Sequence, residues 1–271
     1  MKKVLTLMVA VASLTLSASS LDDFADLNGS LNIAGGTAHI KCEKQAIKNI
    51  MKKYPNISIT IAGGGSGIGI KQVSSGIIDL ANSGRQPTEV EIEKGDLKLF
   101  RFAIDGIGII VNPQNPISNL TTQQLQKIFS GEIKNYKHFS ANSALINLYT
   151  RDQSSATRKV FWKKALEKSD IAKTARVVSS NSAMKTVIKN DRNAIGIISL
   201  GLVDKNVKLI SVNGVHPTLE NVKNGSYNVS RGLFLLSSGE PKPLAKAFIK
   251  YMRSKEGSKI VSKNGFLATD E

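Results

Sequence analysis

The chain has 271 residues, 41% hydrophobic, 21% charged and only 6% aromatic, a profile that excludes a disordered or fibrous protein and approaches the length at which one core divides into two. Its single cysteine, Cys42, excludes an internal disulfide framework and a multi-thiolate metal site, and His39, His138 and His216 lack HExxH spacing, so no metal or other cofactor is expected. The formal net charge is +16, but the basic residues are spread along the chain rather than gathered in a tail, so they read as a solvated lysine-rich surface that draws in small anions, not as a nucleic-acid-binding face.

Residues 1–20 read as a secretory signal. Met1-Lys2-Lys3 is a short basic start, Val4 to Leu16 is apolar apart from Ser13 and Thr15, and Ser17-Ala18-Ser19-Ser20 offers small residues for cleavage. The apolar run is too short for a membrane anchor, which needs about 20 residues. With no cysteine after it, a lipid anchor is not expected either, and a free periplasmic protein is. Loss of Lys2 and Lys3 leaves a formal charge of +14.

Beyond the signal, short β-branched runs alternate with amphipathic stretches. Leu31 to Ala34 predicts a strand, and Gln45 to Lys53 a helix with Ile47, Ile50 and Met51 on one face. Ile57, Ile59 and Ile61 alternate along a strand from Asn56 to Ala62, the glycine run Gly63 to Gly69 follows, and a helix resumes over Ile70 to Ser75. Strand, glycine turn, helix is the unit of an α/β protein. Ile77 to Ala81 is a short strand ending at Asn82-Ser83-Gly84-Arg85, and Phe102 to Val111 is a β-rich segment. A helix over Thr121 to Phe129 opens with a plausible cap. Ile146 to Tyr149 is a strand leading through Arg151 to Arg158 into a helix over Lys159 to Leu166. Strands at Ala194 to Ile198, Val207 to Val212 and Leu233 to Leu236, and helices at Pro243 to Arg253 and Gly257 to Lys263, complete the chain.

The glycine run fails the nucleotide and hydrolase fingerprints by spacing. GxGxxG would need glycine at Ile68 or Ile70, a Walker loop would need lysine at Ile70, and a nucleophile elbow around Ser66 would need glycine at Ile68. What remains is the common physics: glycines let backbone approach closely, and the following helix presents free N–H groups and its positive end to an anion. Gly35-Gly36-Thr37-Ala38, Ser83-Gly84-Arg85 and Ser155-Ala156-Thr157 repeat that chemistry at other strand ends, and Arg151 adds a planar guanidinium. Donors gathered at carboxyl ends of strands, with few acceptors, suit a tetrahedral oxyanion. A plain tight turn at the glycines, and a surface pairing of Arg151 with Asp152, are the structural alternatives.

The segments GGTAHI (35–40), AGGGSGIGI (62–70), DLANSGR (79–85), AIDGIGIIVNPQNPISNLT (103–121), IFSGEIKNY (128–136), RDQSSATR (151–158), AIGIISLG (194–201) and NGVHPTLENVKNGSYNVSR (213–231), in this order, resemble the periplasmic phosphate-binding subunit of phosphate ABC transporters. The resemblance spans nearly all of the chain from Ile33 to Phe266. It implies an α/β, two-lobed type II periplasmic-binding-protein fold with the ligand cleft between the lobes. Lobe 1 would comprise residues 21–104 and 229–271, and lobe 2 residues 105–228. It implies a non-enzymatic monomer that captures inorganic phosphate by lobe closure and hands it to permease subunits in the inner membrane. Mapped onto this sequence, the implied ligand-binding residues are Thr37, Ala38, Ser66, Arg151, Ser155, Ala156 and Thr157, with Gly84 and Arg85 as further candidates. Ala156 stands where the family has glycine. Gly84 stands where many members have an aspartate that receives the phosphate proton; Asp105 and Asp152 are candidate substitutes, and an Arg85–Asp105 ion pair is an alternative use of Arg85. His39 is expected to be a hydrogen-bonded structural imidazole. Sulfate, molybdate or tungstate as ligand, a phosphatase using Ser66 or Ser155, and a polyanion binder remain as rival readings.

Overall fold

The computed structural model describes residues 21–139 and 143–269; the expected signal at 1–20 lies outside the described residues. In chain order the elements are β1 (Gly29–Gly35), α1 (Ile40–Lys53), β2 (Ile57–Ala62), α2 (Ser66–Ser74), β3 (Leu80–Ser83), α3 (Glu89–Gly95), β4 (Leu97–Val111), β5 (Asn119–Leu120), α4 (Thr122–Ser130), β6 (Asn147–Arg151), α5 (Ala156–Lys164), β7 (Arg176–Val178), α6 (Asn181–Asn190), β8 (Ala194–Ser199), β9 (Lys208–Val212), α7 (Leu219–Lys223), β10 (Ser230–Ser238), α8 (Pro243–Arg253), α9 (Lys255–Lys263) and β11 (Leu267–Ala268).

The strand order is β2-β1-β3-β10-β4-β8-β6-β7. β1 runs parallel to β2 and β3, and β6 runs parallel to β7 and β8. Between these two parallel groups lies β4, a strand of 15 residues. Its first part pairs antiparallel with β10, from Ser238↔Leu97 to Ser230↔Gly106, and its last part pairs with β8 from Ile107↔Ser199 to Val111↔Ile195. The apolar packing divides at the same place. Phe102, Ala103 and Leu233 belong to a core with Leu31, Ile33, Ile50 and Phe248; Ile107, Ile109 and Val229 belong to another with Phe129, Phe161 and Ile195. The chain crosses between the two cores along β4 and returns at the start of β10, and the amide of Ile107 donates to the carbonyl of Val229 at 2.8 Å, so the crossings lie side by side.

The expected elements form, with shifted ends. α2 starts at Ser66 rather than Ile70, taking Gly67 and Gly69 into the helix. A Cβ on Gly69 would come within 2.8 Å of the Ala34 carbonyl oxygen and the Gly35 Cα, so glycine there lets α2 lie directly on β1. α5 starts at Ala156 rather than Lys159 because Ser155 caps it, accepting from the amide of Arg158. The expected cap of α4 is a full capping box between Thr121 and Gln124. The helix α6 has no counterpart in the sequence reading, although Met184 and Ile188 repeat one turn apart and are fully buried. Each such burial is worth about 1.5–3 kcal/mol.

Candidate functional site

Five strand ends meet at one small cavity. β1 ends at Gly35, whose φ of +127° and close approach to the Asn82 carbonyl exclude any side chain, and Gly36, Thr37, Ala38 and His39 lead from it into α1. β2 leads through Gly64 and Gly65, with φ of +135° and +93°, into Ser66 at the first turn of α2. β3 ends at Ser83 just ahead of Gly84, β6 ends in Arg151 ahead of the Ser155 cap and Ala156-Thr157 of α5, and Arg231 stands at the start of β10. The cavity is lined by Gly36, Thr37, Ala38, His39, Gly65, Ser66, Gly84, Arg151, Ser155, Ala156, Thr157 and Arg231, around an empty space of about 210 Å³. That space includes open solvent, and the volume free to a water-sized sphere is about 10 Å³, room for one small species and not for a drug-sized molecule.

The structure therefore brings Thr37, Ala38, Ser66, Gly84, Arg151, Ser155, Ala156 and Thr157 together although they span 121 positions in the chain. It does not bring Arg85. That guanidinium is turned away and held by both carboxylate oxygens of Glu91 at 2.7 Å, with a further bond to the Gln86 carbonyl at 3.0 Å. Glu91 is the N3 residue of a capping box opened by Thr88 at the start of α3, so a helix cap claims Arg85. Nor does Arg85 pair with Asp105: that carboxylate belongs to Arg231, whose Nε and Nη2 donate to Asp105 Oδ2 at 3.0 and 2.8 Å. Arg231 and Asn181 are the functional candidates that reasoning from the sequence missed.

Arg151 is only 2% exposed. Its Nε and Nη2 donate to the carbonyls of Val178 and Ser179 at 3.0 and 2.8 Å, while Nη1 is buried without a hydrogen-bond partner among the described residues. Asp152 lies 4.0 Å away, so the expected alternative of an exposed Arg151–Asp152 pair is replaced by a buried guanidinium tied to backbone. Burial lowers the Arg151 pKa to about 10, with Asp152 raising it and the charge of Arg231 lowering it, so the group is cationic at neutral pH. Asp105 is fully buried and also accepts from Ser199 Oγ at 2.9 Å; it stands behind Arg231 and is absent from the lining.

His39 both lines the cavity and has the structural hydrogen bond expected of it, with Nε2 at 3.2 Å from the Ser83 carbonyl. A carbonyl only accepts, so Nε2 carries the proton. Burial, followed by the charge of Arg231, lowers the His39 pKa to about 3, and the ring is neutral. One turn along α1, Glu43 is fully buried and accepts from Asn82 Nδ2 at 2.6 Å; burial raises its pKa to about 8. Asn82 in turn receives the Gly36 amide on its carbonyl at 2.7 Å, so this uncharged carboxyl supports the first glycine turn from beneath.

The two strand groups are in contact across the cavity. The backbone amide and Nδ2 of Asn181, at the start of α6, donate to Thr37 Oγ1 at 3.3 and 3.0 Å. The amide of Gly67 donates to the Ser154 carbonyl at 3.0 Å, and Ser154 Oγ lies 2.9 Å from the Gly64 carbonyl and in contact with Asp152. Gly84 donates its amide to Ser66 Oγ at 3.0 Å, and Thr37 Oγ1 accepts from Asn181, so among the described residues both hydroxyl protons remain available to a ligand. With the orphan amides at the starts of α2 and α5, the cavity is a cluster of donors.

Comparison with known proteins identifies the family. Residues 24–256 match the model of the PBP superfamily domain. The chain is 34% identical over 243 residues to the phosphate-binding protein PstS of Bacillus subtilis, covering 89% of this chain and 81% of that one. It is 30% identical over 282 residues to that of Borreliella burgdorferi, covering 98% and 99%. Among solved structures it superposes with a TM-score of 0.84 on a phosphate ABC transporter substrate-binding protein from Clostridium perfringens crystallised with bound phosphate, at 31% identity and over 89% of this chain and all of that one. An ABC-type phosphate transport receptor from Vibrio cholerae matches with a TM-score of 0.71 at 34% identity, covering 88% and 99%. A mixed α/β chain whose strand ends converge on one cluster of anion donors, it is thus a member of the PstS-type family of two-lobed binding proteins within the PBP superfamily.

Proposed function

We propose that this chain captures inorganic phosphate in the cavity between Thr37, Ser66, Arg151 and the start of α5, and delivers it to the permease subunits of an ABC importer. The observation that carries this reading is the Nη1 of Arg151: a buried, cationic N–H without a partner among the described residues, in a cavity lined by further donors. Leaving such a group unmet costs about 1–3 kcal/mol, more for a charged group, and an oxyanion removes that cost. Relatives named for phosphate, one of them solved with phosphate bound, support the choice of anion.

In this reading residues 21–104 and 229–271 form one lobe and 105–228 the other, a division supported by the change of core between Ala103 and Ile107 and again between Val229 and Leu233. Thr37, Ala38, Ser66 and Gly84 come from the first lobe, and Arg151, Ser155, Ala156 and Thr157 from the second. Only contacts made better in the closed state drive closure, so an anion bridging both sets favours it. The chain acts as a monomeric periplasmic carrier without chemistry of its own, exported by a signal cleaved near residue 20. Titration calorimetry of the mature protein with phosphate tests the reading. We expect one phosphate per chain, and loss of about a hundredfold or more in affinity for Arg151→Ala, which removes two or more charge-assisted bonds. Wild-type affinity in that variant would refute the assignment. Sulfate, molybdate and tungstate in the same titration decide the rival oxyanions, a choice left open by Gly84, which has no side chain to receive a ligand proton.

A further inference from the structure

We propose that Arg231 is a second guanidinium contact for the bound anion, aimed by Asp105 and admitted by Gly84, and that the pair Arg151 and Arg231 selects tetrahedral anions carrying two negative charges. This rests on the anion-binding reading above and specifies which residue sets its charge preference.

Two of the three guanidinium nitrogens of Arg231 are engaged on Asp105, and Asp105 is anchored from its other oxygen by Ser199. The side chain is 4% exposed and its partner is fully buried, so the fork has one orientation. The remaining nitrogen, Nη1, faces Gly84: a Cβ built on Gly84 would stand 2.7 Å from Nη1 and 3.0 Å from Cζ. The space that a side chain at position 84 would fill is occupied by the guanidinium. Both residues line the cavity together with Arg151. A planar fork with one edge on a carboxylate keeps its remaining donor for a second oxyanion, which lysine cannot do.

The lining contains no carboxylate. His39 is neutral, Asp105 is spent on Arg231, Asp152 lies outside the lining, and Glu43 is buried behind Asn82. Two cations facing one cavity without an anion between them repel, and Arg151 registers the charge of Arg231. An anion with two charges relieves that repulsion more fully than one with a single charge.

The experiment is calorimetry on the folded mature chain with inorganic phosphate, followed by competition with sulfate and with perchlorate, which share the tetrahedral shape and differ in charge. Gly84→Ala sets a methyl 2.7 Å from Nη1, 3.0 Å from Cζ and 3.2 Å from Nε, and so shifts the guanidinium while keeping both charges of the pair. The double change Asp105→Asn with Arg231→Gln removes both charges and keeps a hydrogen-bonded pair, so no buried charge is stranded. Each should bind phosphate about tenfold to a hundredfold more weakly than wild type while retaining its circular dichroism spectrum. In wild type, sulfate should displace phosphate at lower concentration than perchlorate, and in the double variant that gap should narrow. Folded variants that bind phosphate as wild type does, or an unchanged gap, would overturn the proposal. A wild-type protein that binds no phosphate would instead refute the function itself.

Discussion

Glu43→Gln should make the protein more stable, and the gain should grow with pH. In the folded chain Glu43 is wholly buried and keeps its proton up to about pH 8, against an ordinary 4.5. Below the unfolded value both states are protonated and the group is neutral in the balance. As pH rises beyond it, the unfolded state releases a proton that the folded state retains, and stability falls at about 1.4 kcal/mol per pH unit until the folded group also ionises near pH 8. At pH 7 the accumulated cost is about 3 kcal/mol, a large share of the roughly 5–15 kcal/mol that holds a domain together. Glutamine is close in shape to the protonated carboxyl, accepts from Asn82 through its amide oxygen, and has no proton to lose. Urea unfolding of both proteins at steps between about pH 5 and pH 8 gives the difference at each pH, in which the other titrating groups cancel. A fixed offset from altered packing would leave that difference flat; only the proton linkage makes it rise. A flat difference would refute the claim that Glu43 is held neutral.

Three further outcomes follow from named contacts. His39→Gln should flatten the acid side of the stability curve: the histidine pKa is lowered from 6.5 to about 3, so its contribution is complete above 6.5 and lost as pH falls toward 3, which thermal melts between about pH 6.5 and pH 4 will read. Asn181→Ala removes the Nδ2 bond to Thr37 Oγ1 and the acceptor of the buried Ser199 amide, and should weaken phosphate binding about five- to thirtyfold by calorimetry; unchanged affinity would separate Thr37 from closure. Gly65→Ala forces a side chain into a backbone at φ +93° and against Ser154 Oγ, so affinity should fall at least about tenfold; a binding curve like that of wild type would show that Gly65 and Ser154 do not meet in the bound state.

The part of the site that was legible in the sequence is the part whose cause is local. A strand that ends in glycines and continues into a helix with serine or threonine at its start declares free amides and hydroxyls within one short window, and Thr37, Ser66 and Ser155–Thr157 all stand in such windows. Arg231 stands in Ser-Arg-Gly ahead of an apolar run and reads as the mouth of a strand. Its role is set by Asp105, 126 positions away, and by the missing side chain at Gly84. Asn181 likewise takes its meaning from Thr37, 144 positions away. Arg85 misled for the opposite reason: it adjoins a cavity residue in sequence, but the capping box of α3, readable as Thr88 and Glu91 three apart, takes its guanidinium. The sequence pattern starts β4 only at Phe102 because its first five residues, Leu97 to Arg101, alternate apolar with charged residues only in part, and their partner β10 lies more than a hundred residues downstream.

The same distinction between local and distant causes bears on closure. The bonds that join the two sides across the cavity include neutral ones, Asn181 to Thr37, Gly67 to Ser154 and Ser154 to Gly64, while charged ones, Arg231 to Asp105 and Lys164 to the Ser230 carbonyl, lie at the crossings. Each neutral bond is worth about 0.5–1.5 kcal/mol net. Against them stands the charge of Arg151 from one side and of Arg231 from the other, both facing one cavity. An anion reverses the sign of the electrostatic part while leaving the neutral bonds as they are, so the affinity and the degree of closure are governed by one quantity, the charge delivered between the two guanidinium groups. A change that weakens a neutral bridge should therefore lower affinity for every anion by one factor, and a change at Arg231 should lower it by a factor that depends on the charge of the anion.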